Sequence, residues 1–486
     1  MTAVRGRRSP RVIGLLAAAL LVAGGSYLGP AIVGRFNGGG DGSTDAPRVV
    51  LSGPGAAATP VDGTSGDGRL PLAERIAFWS TRVQEQPSDY LSLVQLAVAW
   101  SEQGRLRLDL DALTRASQAV ERALAIAPAY PSAIAVRASI RFTTHDFSGA
   151  EADARTVLRT TPDDPAALAV LGDSLLELGR IDEASATYEQ LGALAGGPAL
   201  DIRKARLAFV RGNGAAALDL ARKALISASG GGAANAEIID PAVLGFYHFA
   251  LGEYARLTGT ADLAEAEFRA AIELRPTDLG ALLGLARVQA FDGDLDAAIT
   301  SLESAAAIAP TPEAEAMLGD LQLARAASAG RSPEARAADR LAAETAYGTV
   351  RLTRTLSALA GAVFDRQLIL FDLDHGAADD RTLDAARAAF VVRPDAAGRD
   401  LVAWALHRLG RDEEAAAESR AARATGAADA RTLFHAGAIA AALGDRGEAG
   451  RLIDAALALG PGLDPIERAE ATRIRATLDS GSASAP

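Results

Sequence analysis

The chain of 486 residues contains no cysteine. That excludes disulfides, thiolate zinc sites, iron–sulfur clusters and a cysteine nucleophile. Aromatic residues are scarce at 5%, although 49% of the chain is hydrophobic, so the apolar content is mostly alanine, leucine and valine. Small apolar side chains suit closely packed helices better than β-sandwiches, which draw on branched and aromatic residues. Lysine occurs only as Lys204 and Lys223, so arginine supplies nearly all the positive charge. The formal net charge is −12, against the basic face that nucleic-acid binding needs. Neither His-Glu-x-x-His, a serine elbow nor a phosphate-cradling glycine loop between strand and helix occurs. No catalytic residue, metal ligand or cofactor is assigned.

What is present begins with a targeting segment. Arg5, Arg7, Arg8 and Arg11 precede an uncharged, apolar stretch from Val12 to Val33 that is long enough to cross a bilayer. Only Arg35 follows closely, so the charge bias places the N-terminus inside and the body outside. Residues 1–35 read as a membrane anchor or, if cleaved near Ala23-Gly24-Gly25, as a signal peptide. The body is then extracytoplasmic, on a single-pass anchor or secreted. Residues 36–68, rich in Gly, Ser, Asp and Pro, read as a flexible linker, and 479–486 as a disordered tail.

The body repeats. Turn glycines are followed five residues later by alanine: Gly179 and Ala184, Gly212 and Ala217, Gly259 and Ala264, Gly293 and Ala298, Gly410 and Ala415, Gly444 and Ala449. Gly259 and Gly293 lie 34 residues apart, as do Gly410 and Gly444, and prolines 128 and 162, and 276 and 310. Apolar residues between them fall at helical spacing, as in Leu168, Leu171, Gly172 and Leu175. Each unit reads as helix, glycine turn, helix and proline-marked exit. About eight units are counted between residues 88 and 461. A helix over 71–86, with Leu72, Ile76, Phe78 and Val83 inward, caps the array. Insertions after Gly104 and across Ser227–Pro241, His145-Asp146 in place of a turn glycine, and no turn glycine after Thr311 break the pattern.

The segment Leu251-Gly252 … Gly259 … Ala264 … Phe268 … Ala271 … Pro276 resembles the tetratricopeptide repeat family, and the units from Leu282 to Pro310 and Ala436 to Pro461 follow it in register. Asp400-Leu401-Val402-Ala403-Trp404 and Phe434-His435-Ala436-Gly437 are similar to a bacterial variant of that family. The resemblance implies an all-α fold, a right-handed superhelical solenoid of antiparallel helix pairs over 69–478. It also implies a concave groove lined by the inner helix of each unit.

Carried over position by position, the groove residues are Phe142, Asp173, Leu176, Ile202, Arg206, Phe209, Phe246, Phe249, Arg256, Arg287, Asp400, Trp404 and His407. The phenylalanines would give an apolar anchoring wall. Arg206, Arg256 and Arg287 would meet a partner's carboxylate by forked hydrogen bonds, unless they pair with neighbouring Glu253 or Asp292. The reading is a non-enzymatic scaffold that binds a protein or peptide, with self-association open. The alternative is a receptor for a small molecule or metal near His375, Trp404, His407 and His435. Asp292, Asp294, Asp296 and Glu303 imitate a calcium loop, but Ala297 stands where that loop needs glycine, so they read as acids at a helix start.

Overall fold

Asp164 accepts a hydrogen bond from the Ala167 amide, Pro165 follows as first helical residue, and the helix closes on Gly179 at φ 70°. That grammar recurs down the chain. Asp109, Asp146, Asn213, Asp278, Asp294, Thr311, Asp379, Asp395, Asp429 and Asp445 cap in the same way. Each such cap is worth about 1 kcal/mol. The six turn glycines named from the sequence all have positive φ, a conformation that a Cβ disfavours. His145, at φ 64°, takes the same left-handed place.

A computed structural model of the protein describes residues 70–107, 109–230, 241–359, 366–426 and 428–480. The targeting segment, the linker, most of the 227–241 insertion and the last six residues lie outside them. No helix among the described residues is long and apolar enough to cross a membrane.

The described chain is all α-helical apart from turns and a short 3-10 segment. Helix α1 (Leu72–Glu85) precedes ten helix–connection–helix units. These are α2 (Tyr90–Arg107) with α3 (Leu110–Ile126), α4 (Pro131–Thr143) with α5 (Phe147–Thr160), α6 (Pro165–Glu177) with α7 (Ile181–Leu194), and α8 (Pro198–Val210) with α9 (Gly214–Ala228). Then come α10 (Pro241–Leu257) with α11 (Ala261–Leu274), α12 (Leu279–Asp292) with α13 (Leu295–Ile308), and α14 (Pro312–Ala327) with α15 (Pro333–Leu359). The last are α16 (Arg366–Asp374) with α17 (Asp380–Val392), α18 (Ala396–Arg408) with α19 (Asp412–Arg423), and α20 (Ala430–Ala442) with α21 (Arg446–Ala458). A 3-10 turn (Gly460–Gly462) leads into α22 (Pro465–Ser480). Ten units stand where about eight were expected. The surplus comes where the glycine signal fails: Gly330 falls in the connection after α14 rather than at its expected place, and α16 has only nine residues.

The described residues form two compact units, 70–203 and 204–480. In the first, inner helices α2, α4 and α6 pack side by side and α3, α5 and α7 cover them. Its core gathers Trp79, Leu93, Val94, Val120, Val136, Ile140 and Val157. Within α1 it is Trp79 that is buried, while Phe78 is 40% exposed, one position from the inward face expected for it. In the second unit α10 lies beside α12, and α14, α16, α18, α20 and α22 follow as an inner row. The alanines five residues past the turn glycines are fully buried. Inner-helix glycines take the outer helix's large side chain: a Cβ on Gly172 would lie 2.4 Å from the Tyr188 ring, and one on Gly284 2.3 Å from that of Phe268.

Candidate functional site

Helices α10, α12 and α20 each carry one arginine to a common place in the second unit. Arg256 in α10 forks Glu253, at 2.9 and 2.6 Å, and gives its remaining Nη1 to the carbonyl of Pro461 at 2.9 Å. Arg287 in α12 donates Nε to Asp464 at 2.7 Å and Nη2 to Glu313 at 2.5 Å. Arg431 in α20 reaches the second oxygen of Asp464 at 2.7 Å and also pairs with Glu467. Glu467 in turn accepts the Asp464 amide at 3.0 Å, a helix-start contact that fixes both carboxylates. The Arg468 guanidinium lies 4.1 Å over the Phe291 ring of α12. The chain's own residues 460–468 therefore lie along its inner helices.

The charges are strongly perturbed. Burial works to raise the Asp464 pKa, but Arg287 and Arg431 beside it hold its carboxyl well below the usual range. Glu467, buried and next to the Asp464 charge, is pushed up to about 6 in spite of Arg431. Glu253 is held low by Arg256 against its burial. Small residues allow the close approach: a Cβ on Gly462 would lie 2.9 Å from Ala430, and one on Gly460 3.1 Å from Phe291.

The thirteen groove residues named from the sequence divide four ways. Phe142, Leu176, Ile202, Phe246 and Phe249 are buried among the helices, with Phe142 edge-on to Phe147 and Phe249 beside Phe268. The expected open aromatic wall is corrected at these positions, because the helical rotation turns them into the apolar layer between neighbouring units. Asp173, Arg256, Arg287 and Asp400 are buried but ion-paired. Asp173 takes Arg203 at 3.0 Å and the Tyr188 hydroxyl at 2.8 Å, and Asp400 takes His435 at 2.7 Å. Trp404 is 1% exposed, donates Nε1 to Asp374 at 3.0 Å and stacks on His435 with ring centroids 4.0 Å apart. Arg206, Phe209 and His407 stay half-buried.

The histidines are brought together only in part. His407 and His435 flank Trp404, at 5.0 and 4.0 Å between ring centroids, whereas His375 stacks on Phe371 and meets Asp320 at 2.8 Å. His407 holds Asp412 at 2.6 Å. Each imidazole thus has a carboxylate of its own, and no group of three His, Asp or Glu among the described residues could hold a metal ion. In the calcium-loop imitation, Asp294 caps α13 and Asp296 pairs with Arg325. Arg431, Asp464, Glu467 and Glu313 carry no signal in the sequence that links them to Arg287, since their contacts span up to 177 residues.

Residues 141–207 match a tetratricopeptide repeat family model. Over that stretch the chain is similar to tetratricopeptide repeats. No curated protein matches it in sequence. Among solved structures, a human IFIT1 dimer with m7Gppp-AAAA is 18% identical over 73% of this chain and 76% of that one, with a TM-score of 0.44. A tetratricopeptide repeat protein from Parabacteroides merdae is 14% identical over 56% and 92%, with a TM-score of 0.39. YrrB, a tetratricopeptide repeat protein with an unusual peptide-binding site, is 16% identical over 48% and 92%, at 0.22.

Proposed function

We propose that this protein is a non-enzymatic scaffold, tethered to the membrane by residues 12–33, whose extracytoplasmic repeats bind a protein or peptide. The observation that carries the binding reading is the contact of Arg256, Arg287 and Arg431 with residues 461–467: an inner face of the repeats already holds a stretch of polypeptide through side-chain carboxylates and one main-chain carbonyl. Such contacts hold a peptide by groups that any acidic segment can offer. The topology reading rests on the four arginines ahead of the apolar stretch and the single one behind it. Catalysis is assigned no residue, nucleic acid no face, and self-association remains part of the reading.

The test uses the full chain carrying an epitope at its C-terminus. It should sediment with membranes, or be secreted if the leader is cleaved, and the epitope should be cut by protease added outside intact cells. Extracted in detergent, it should retain a discrete protein partner that the Arg206→Ala/Phe209→Ala variant loses, both positions being half-buried rather than core. An epitope protected outside but cut after lysis would overturn the topology. Failure to retain any protein reproducibly would overturn the scaffold.

A further inference from the structure

The occupant of the second unit's inner face is a piece of the same chain. We propose that residues 460–467 are a built-in stand-in for an acidic segment of a binding partner, which competes for the same three arginines and displaces them. This deepens the scaffold reading and rests on it. The ligand class is an acidic peptide that forms a turn and a helix start, with two carboxylates three residues apart and a carbonyl upstream, the arrangement of Pro461, Asp464 and Glu467.

Three observations carry it. First, the arginines come from three different inner helices, α10, α12 and α20, so the cationic face belongs to the repeats and the anionic partner to the segment. Second, the segment meets the three arginines through polar groups, the Pro461 carbonyl and the Asp464 and Glu467 carboxylates, while Leu463 between them is buried in the hydrophobic core, so a displacing ligand must also supply an apolar residue there. Buried ion pairs contribute little net stability because desolvation offsets their attraction, which suits an occupant that can be exchanged. Third, the segment is the turn before the last helix together with that helix's first residues, Pro465–Glu467, so displacing it moves α22 without unthreading any repeat.

The experiment uses the full chain with Asp464→Asn and Glu467→Gln together, and a fluorescent peptide of residues 458–470. In the unaltered chain the tethered segment competes at an effective concentration on the order of millimolar. The double variant should therefore bind the peptide at least ~10-fold more tightly than the unaltered chain does. A peptide bearing the same two substitutions should not bind, and adding Arg287→Ala to the variant should abolish binding. Equal binding of both peptides, or of neither by a variant that keeps its helical circular dichroism, overturns the proposal. Should the double variant not fold, hydrogen exchange of the unaltered chain decides. With ~5 mM peptide, amides of 460–480 should lose protection, and unchanged protection overturns the idea. A chain that retains its protein partner yet ignores the peptide sinks only this proposal, whereas peptide binding without any partner sinks only the scaffold.

Discussion

Glu315 lies buried in α14, and that burial pushes its carboxyl up to about 7. In an unfolded chain the same group titrates near the usual glutamate value, roughly 4.3. Between those two values the folded state holds the extra proton, so stability falls as pH rises from about 4 to 7 and is flat above that. Glu315→Gln should stabilise the protein by about 1–2 kcal/mol at pH 8 and leave it unchanged at pH 4; urea midpoints at the two pH values would check it. An equal gain at both would show that ionisation is not the cause. His435 has the opposite sign. Burial lowers its pKa, but the Asp400 carboxylate beside it wins, so the imidazole stays protonated above its ordinary range. Its contribution is complete below the unfolded imidazole pKa of about 6.5 and is lost as pH rises through the higher folded value. Because Trp404 stacks on that ring, tryptophan emission should change with a midpoint above pH ~6.5, and Asp400→Asn should shift that midpoint down. An emission unchanged across the range would refute the assignment. Residue by residue, the sequence grouped His375, His407 and His435 with Trp404, since neighbouring inner helices share a register; the structure keeps His407 and His435 on Trp404 and sets His375 against Phe371 and Asp320. The sequence did not reveal their burial, which depends on how each helix is rotated against the next.

At the scale of the element, glycines do two different jobs. Those in the turns need positive φ. Those in the inner helices make room for an outer-helix side chain, and Phe268 fills the space left by both Gly252 and Gly284. Gly284→Ala would drive a methyl group into that ring and should cost about 1–3 kcal/mol. Gly348, inside α15, has nothing within 4 Å of the place a methyl group would take, so Gly348→Ala should stabilise by about 0.5–1 kcal/mol through helix propensity alone. Thermal unfolding of the two variants should move in opposite directions, and a common direction would contradict the packing described. The spacing of such glycines and alanines is why the helix pairs were legible in the sequence. They set a period that side-chain chemistry alone enforces. The two extra units escaped because Gly330 falls later than usual between α14 and α15, and Gly376, which turns α16 into α17 at φ 76°, is followed five residues later by Arg381 rather than alanine. There the 34-residue rhythm breaks even though the helices continue.

Across the second unit, the far end of the chain returns to the helices near its beginning. A Cβ on Gly212 would lie 2.1 Å from the carbonyl oxygen of Gly426, and the Gly259 turn meets Ala458 and Leu459. With the pairs at Arg256 and Arg287, these contacts join residues some two hundred positions apart. No periodicity encodes them. A repeat pattern fixes what each helix pair does with its neighbour, while the closure depends on small rotations accumulated over many units. The sequence pointed to Arg206, Arg256 and Arg287 as holders of a partner's carboxylate; in the structure Arg256 and Arg287 hold carboxylates of the chain itself. What it lacked was the identity of the carboxylates beyond Glu253. Arg287 is the member whose loss should be felt most, because both Asp464 and Glu313 depend on it. Arg287→Met keeps much of the side chain's bulk but takes the guanidinium from half-buried Glu313 and leaves half-buried Asp464 with Arg431 alone, and should cost about 2–4 kcal/mol. Combining it with Asp464→Asn should cost clearly less than the sum of the two single changes, since the second substitution removes a charge the first left with one cation fewer. Chemical denaturation of the four proteins in the cycle measures that coupling. Hydrogen exchange should place the weakened amides within residues 204–480, where every partner of Arg287 lies. Additive costs, or protection lost equally in residues 70–203, would mean that Arg287 does not join the two ends of the second unit.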